Sequence, residues 1–129
     1  MDSENLVQRA TEAREHAYAP YSSFKVGAAL LASNGRVFTG CNVENATYGL
    51  TVCAERVALW KAVSEGEREF VAVAVVADGE RPPLPCGACR QLLWEFSGDI
   101  EVITANLRGA SQSYHLSELL PHPFDRSSF

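Results

Sequence analysis

Phe70 to Ala77 is an apolar run with no interruption, Phe-Val-Ala-Val-Ala-Val-Val-Ala, bounded by Glu69 and Asp78. A strand with one wet face alternates apolar and polar residues, whereas this run fits a strand covered on both faces, as in the parallel part of an α/β sheet. It is the longest apolar stretch in the chain and falls far short of the roughly 20 residues a membrane-crossing helix needs, so no membrane span is predicted.

A doubly covered strand needs helices on both sides, and the pattern supplies them. Leu6, Ala10, Ala13 and Ala17 recur at helical spacing from about Ser3 to Tyr18, ahead of Pro20. Cys53 to Val63 is helical and apolar nearly all round, through Val57, Ala58, Leu59, Trp60, Ala62 and Val63, which marks a buried helix ended by Glu65-Gly66. Gly87 to Phe96 is a second short helix with Leu92, Leu93 and Phe96 facing inward. Phe24 to Ser33 and Arg36 to Gly40 read as two strands joined by a two-residue turn at Asn34-Gly35, and Ile100 to Ala105 as a further strand. The tail from Leu116 to Phe129 reads as a short helical turn followed by an irregular end through Pro121, Pro123 and Phe124.

The order is helix, hairpin, helix, strand, helix, strand, which predicts an α/β sandwich in a single domain, 1–129. Crossovers between parallel strands are right-handed, so the helices after those strands start along one sheet edge, where open α/β sheets bind ligands. With 47% apolar and 21% charged residues, disorder is excluded. Eleven Lys and Arg against sixteen Asp and Glu give a formal charge of -5, with no basic run, which disfavours nucleic acid as a partner. Met1-Asp2-Ser3-Glu4-Asn5 carries acid where a signal peptide is basic, so a cytoplasmic protein is expected.

The four cysteines, Cys41, Cys53, Cys86 and Cys89, are then in a reducing setting, where metal ligation or redox chemistry is favoured over disulfides. By itself Cys86-Gly87-Ala88-Cys89 fits a redox pair as well as a metal site. Cys53 begins the buried helix, on the same sheet edge, so three thiols can converge. Three thiolates suit Zn²⁺, and a fourth position left to water marks a catalytic site. Cys41 is an alternative fourth ligand of a closed site, or a small buried thiol at a strand end. Arg56, one helical turn beyond Cys53, can donate to a thiolate and offset the charge of such a centre; an ordinary surface ion pair is the blander assignment. Glu55 lies in the first helical turn, where the helix dipole favours a carboxylate regardless of function, and where it can also reach a metal-bound water and carry its proton.

Cys53-Ala54-Glu55 followed by Pro85-Cys86-Gly87-Ala88-Cys89 is the three-cysteine form of the zinc nucleobase deaminase signature. Together with Ala19-Pro20-Tyr21-Ser22, Phe24-Lys25-Val26-Gly27-Ala28-Ala29-Leu30, Gly40-Cys41-Asn42-Val43-Glu44-Asn45-Ala46, Arg56 and Arg90-Gln91, the sequence resembles the small homotetrameric cytidine deaminases over nearly its whole length. The resemblance implies a three-layer α/β/α sandwich around a mixed sheet of about five strands. It implies zinc on Cys53, Cys86 and Cys89, Glu55 as proton shuttle, Asn42 and Glu44 on the nucleoside sugar, and Phe24 against the pyrimidine ring. The Ala54 N–H, free at a helix start, is expected to hold the base carbonyl, and Phe124 is a candidate aromatic contributed across a subunit interface, or packed on its own subunit. Apart from the resemblance, Asn42 and Glu44 would read as a satisfied turn and Phe24 as core. Leu84 departs from the Ser or Thr expected there; if only its carbonyl matters, no chemistry is lost.

The reaction expected is hydrolytic deamination of free cytidine and deoxycytidine to uridine and deoxyuridine plus ammonia by a zinc-activated hydroxide, in pyrimidine salvage. Deamination of nucleoside antibiotics, editing of RNA or DNA, and a purely structural zinc module are the competing readings. The first is disfavoured by the intact Phe24, Asn42 and Glu44 set, the second by the charge. The third leaves Glu55 and the open ligand position unexplained.

Overall fold

The Asp2 side chain accepts the Asn5 N–H at 2.9 Å and so caps helix α1, Ser3–Arg14, in the computed structural model, which describes residues 1–129. The helix stops short of Tyr18 because the chain there is drawn to another partner. The Tyr18 N–H donates to the Asn42 carbonyl at 3.0 Å, and Tyr18 bridges to Val43.

Strands β1 (Val26–Ala32) and β2 (Val37–Cys41) form the expected hairpin. Its turn is looser than a two-residue loop. The Ala32 N–H meets the Arg36 carbonyl at 2.9 Å, Gly35 adopts φ 91°, and Ser33 is diverted to donate to the Glu69 carbonyl at 3.0 Å. Strand β1 begins at Val26 and not Phe24, because side chains rather than a neighbouring strand hold the Phe24 backbone.

Helix α2 (Ala54–Ser64) leads to β3 (Phe70–Ala77), and α3 (Gly87–Ser97) leads to β4 (Glu101–Asn106). A fifth strand, β5 (Ser111–His115), and a single turn, α4 (Leu116–Leu119), follow. The sheet order is β2-β1-β3-β4-β5. β1 is antiparallel to both β2 and β3, β3 and β4 are parallel, and β5 returns antiparallel. Strands β2 and β3 therefore run the same way with β1 between them, so α2 and α3 both start from one end of the sheet.

The doubly covered strand holds the centre. On one face Ala28, Leu30, Val73, Val75 and Val102 pack under Ala58 and Leu59 of α2, Leu93 of α3 and Leu116 of α4. On the other, Leu6 and Ala10 of α1 cover Ala29, Leu31, Ala74, Val76 and Ile103. Successive residues of β1 and β3 alternate between the two clusters, as the pleat requires. This gives three layers and a mixed five-stranded sheet. Truncating a fully buried leucine such as Leu59 to alanine in a core of this kind costs about 2–5 kcal/mol.

Gly40 sets the height of α2 over the sheet. A Cβ there would lie 2.5 Å from the Ala54 carbonyl oxygen and 2.6 Å from the Ala58 nitrogen, so no other residue lets the first turn of α2 sit so low.

Candidate active site

Cys53 is the N-cap of α2 and Cys86 the N-cap of α3, both with extended backbone, and Cys89 lies in the first turn of α3. Because the two helices start side by side, the sulfurs of Cys53, Cys86 and Cys89 all fall within 4.8 Å of one another, with Cys53 and Cys86 at 4.0 Å. Cys41, at the end of β2, is outside this group, and burial pushes its thiol up. The Cys86 sulfur accepts the Cys89 N–H at 3.5 Å, which fixes the loop between them.

Three thiols so close cannot all ionise without a cation among them. A hydrogen bond from Cys89 is the main cause holding the Cys53 thiol down at about 6, against its burial, with help from Cys86 and the Arg56 charge. The Cys89 thiol is pushed up in turn, first by that same pairing and then by burial. The donor set thus fits a soft, thiophilic cation such as Zn²⁺, and two helix starts add partial positive charge beside the sulfurs. The Arg56 Nη2 lies 4.0 Å from the Cys89 sulfur, while its buried Nε has no protein acceptor.

Glu55 is 5% exposed. Burial raises its carboxyl to about 7, against the lowering effect of its own backbone N–H; the Cys53 charge raises it further and Arg56 lowers it. An acid so placed exchanges protons near neutrality.

A cavity of about 250 Å³ opens onto this cluster and is lined by Phe24, Asn42, Glu44, Ala54, Glu55 and Leu84, together with Cys53 and Cys86. Ala54 is the first residue of α2, so its N–H has no intrahelical acceptor. Phe24, 48% exposed, forms part of the wall and is not core.

Asn42 is more committed to the protein than the sequence suggests. Its Oδ1 accepts the Val26 N–H at 2.8 Å and its Nδ2 donates to the Phe24 carbonyl at 2.7 Å, so one amide hydrogen is left for a ligand. Glu44 accepts the N–H groups of Tyr21 at 2.9 Å and Ser22 at 3.1 Å on Oε1, and the Ser22 hydroxyl on Oε2. The Ser22 hydroxyl leads the causes that hold the Glu44 carboxyl below its ordinary range. The sequence marks Ser22 only as the last residue of Ala19-Pro20-Tyr21-Ser22, one of the motifs that carry the resemblance, and gives it no role.

Phe124 does not join the cavity within one chain. Its ring, 60% exposed, packs edge-on against Phe129 at 5.3 Å, and Gln91 Nε2 donates to its carbonyl. The Trp94 indole N–H bonds Asp125 at 3.0 Å and ties the tail to α3. Arg90 bonds the Pro85 carbonyl at 2.7 Å and the Leu119 carbonyl at 2.8 Å, joining the loop before Cys86 to the tail.

Two helix starts bearing a three-thiol group, with a buried acid beside it, have the make-up of a metal centre with its own proton carrier. The family described as "Cytidine and deoxycytidylate deaminase zinc-binding region" matches residues 1–105, and the chain belongs to it. The cytidine deaminase of Halalkalibacterium halodurans is 57% identical over 125 residues, covering 96% of this chain and 95% of that one. The cytidine deaminase of Sporosarcina psychrophila is 52% identical, covering 98% and 93%. The crystal structure of cytidine deaminase from Burkholderia pseudomallei superposes with a TM-score of 0.93 at 50% identity, covering 96% of this chain and 100% of that one. Membership and the thiol group support zinc as the cofactor.

Proposed function

We propose that the chain hydrolyses free cytidine and deoxycytidine to uridine and deoxyuridine, releasing ammonia, in pyrimidine salvage. The observation that carries this reading is the buried, near-neutral Glu55 carboxyl beside the three-thiol group, in a cavity that also holds the fixed Glu44 carboxylate. Cys53, Cys86 and Cys89 would hold the zinc, which when bound supplies Lewis acidity that makes water a nucleophile near neutral pH.

The chain's own residues do the rest. Glu55 takes one proton from the attacking water and delivers it to N3 of the ring, then carries the second, from the hydroxyl now on C4, to the amine, so that the C4 carbonyl forms as ammonia leaves. A carboxyl near 7 can accept and return a proton at little cost. Arg56, close to Cys89, draws negative charge from the thiolates. The Ala54 N–H is positioned for the base carbonyl, the Phe24 ring for the pyrimidine face, and the free Asn42 amide hydrogen and Glu44 for sugar hydroxyls.

The working form is a homotetramer. Tyr48, 80% exposed, and the exposed Leu50, Trp60 and Phe124 leave apolar surface for neighbouring copies to cover. Thiols kept free for a metal suit a reducing compartment and support a cytoplasmic protein; no helix is long and apolar enough to cross a membrane. The test is ultraviolet monitoring of purified, zinc-loaded protein with cytidine and deoxycytidine. Loss of the cytidine band is expected, and its persistence would overturn the reading.

A further inference from the structure

Phe24 is held at both of its backbone polar atoms by side chains instead of by a neighbouring strand. Its N–H donates to the Ser22 hydroxyl oxygen at 3.0 Å, and its carbonyl accepts from Asn42 Nδ2 at 2.7 Å. The same Ser22 hydroxyl donates its single proton to Oε2 of Glu44. Ser22 therefore stands between the residue that faces the base and the one that faces the sugar. The turn that puts it there is tight: the Ser23 N–H returns to the Ala19 carbonyl at 2.9 Å, and Ser23 takes φ 60°, a left-handed conformation uncommon outside glycine. The Glu44 backbone is anchored as well, through its N–H to the Tyr18 carbonyl at 2.8 Å.

The donor count at Glu44 sharpens the point. A carboxylate offers about four acceptor sites. Tyr21 and Ser22 fill both sites on Oε1, and the Ser22 hydroxyl takes one on Oε2, which leaves a single site in a fixed direction. If the chain takes both cytidine and deoxycytidine, the hydroxyl received there is one that both sugars carry, the 3′ or the 5′; the 3′-hydroxyl, fixed on the ring while the 5′ swings on a rotatable CH₂, suits an acceptor with one set direction.

We infer that Ser22 is a positioning residue for specificity: by donating to Glu44 and accepting from Phe24, it aims the one free acceptor site of Glu44 at the 3′-hydroxyl while the base rests on Phe24. This rests on the deaminase reading given above. Without the Ser22 hydroxyl, Glu44 keeps only the two backbone donors on one oxygen and can rotate its other oxygen away, and the Phe24 N–H loses its acceptor.

The experiment compares 2′-deoxycytidine with 2′,3′-dideoxycytidine, which differ only in that hydroxyl, on zinc-loaded wild type, S22A and S22T. Wild type should prefer the hydroxylated substrate. In S22A that preference should shrink about tenfold, the size expected when a hydrogen bond to a charged group is lost, and through KM more than kcat. S22T, which keeps a hydroxyl, should retain it. Zinc content and melting temperature are followed in parallel; if S22A is recovered unfolded, S22C, with a weak thiol donor, takes its place against S22T. Equal loss on both substrates in S22A would mean a merely structural role and would overturn the inference, as would an unchanged preference or a wild type indifferent to the 3′-hydroxyl. A wild type that turns over neither substrate refutes the deaminase reading itself, a separate outcome.

Discussion

Arg56 aims its guanidinium at Cys89, with Nη2 4.0 Å from the sulfur, although the two residues start on different helices. The contact joins α2 to α3 across the proposed metal position. Removing this donor with Arg56→Ala should leave the thiolates more negative and a bound water less acidic. The rising limb of kcat/KM against pH should then move upward by about one unit, the equivalent of one hydrogen bond to a charged group. An unmoved profile with unchanged zinc content would reduce Arg56 to a packing residue.

Glu55→Gln keeps the shape of the buried acid and removes its proton transfer. Zinc content and fold should be retained while kcat falls by at least 10² to 10⁴, roughly the worth of a positioned general acid and base. Steady-state kinetics at saturating cytidine checks this; activity within a few-fold of wild type would exclude the shuttle role.

The sulfurs of Cys53, Cys86 and Cys89 cluster and that of Cys41 does not. Cys41→Ser should hold about one zinc per chain, as an open three-ligand site requires, whereas Cys86→Ser should lose most of it. Elemental analysis of the two variants side by side decides between an open and a closed site.

Asp99 accepts the Ser117 N–H at 2.8 Å and the Ser117 hydroxyl at 2.9 Å, and these bonds, the backbone one first, lower its carboxyl from the ordinary 3.8. A carboxyl lowered in the folded state stabilises the fold above its unfolded value, and that contribution is lost as pH falls through the folded value. Asp99→Asn should therefore melt lower than wild type near pH 7, and the gap should close in strong acid. Thermal melts across the acid range test it; a gap of constant size would rule out the charge as its source.

Phe124 packs on Phe129 of its own chain yet stays largely exposed, so its remaining surface is free to meet a neighbour. Light scattering should give a mass near four times 14.0 kDa. Phe124→Ala should raise KM for cytidine more than it lowers the melting temperature. A monomer in solution would remove the proposed assembly.

The elements that the sequence made legible are those where periodicity and chemistry agree. The unbroken run of β3, the all-round apolar α2 and the thiols at two helix starts each leave a local signal. β5 leaves none: Ser-Gln-Ser-Tyr-His at 111–115 has no apolar alternation, because an edge strand with an exposed face is held mainly by its ladder to β4. The helical spacing runs through Ala17, past the end of α1 at Arg14, because nothing local shows that Tyr18 is claimed by Asn42, a partner far along the chain. The double duty of Ser22 was equally hidden, since a hydroxyl between two turn residues looks the same whether it meets solvent or a carboxylate.

Gly40 invites a mistake that stability engineering would make in good faith. A glycine inside a strand is an obvious target for replacement by valine or threonine, which favour extended backbone. Here the added carbon would press on the Ala54 carbonyl at 2.5 Å and lift the first turn of α2. Cys53 and Glu55 ride on that turn. A variant chosen for a firmer hairpin would displace a metal ligand and the proton carrier together, so its zinc content and its turnover would fall even where its strands still pair.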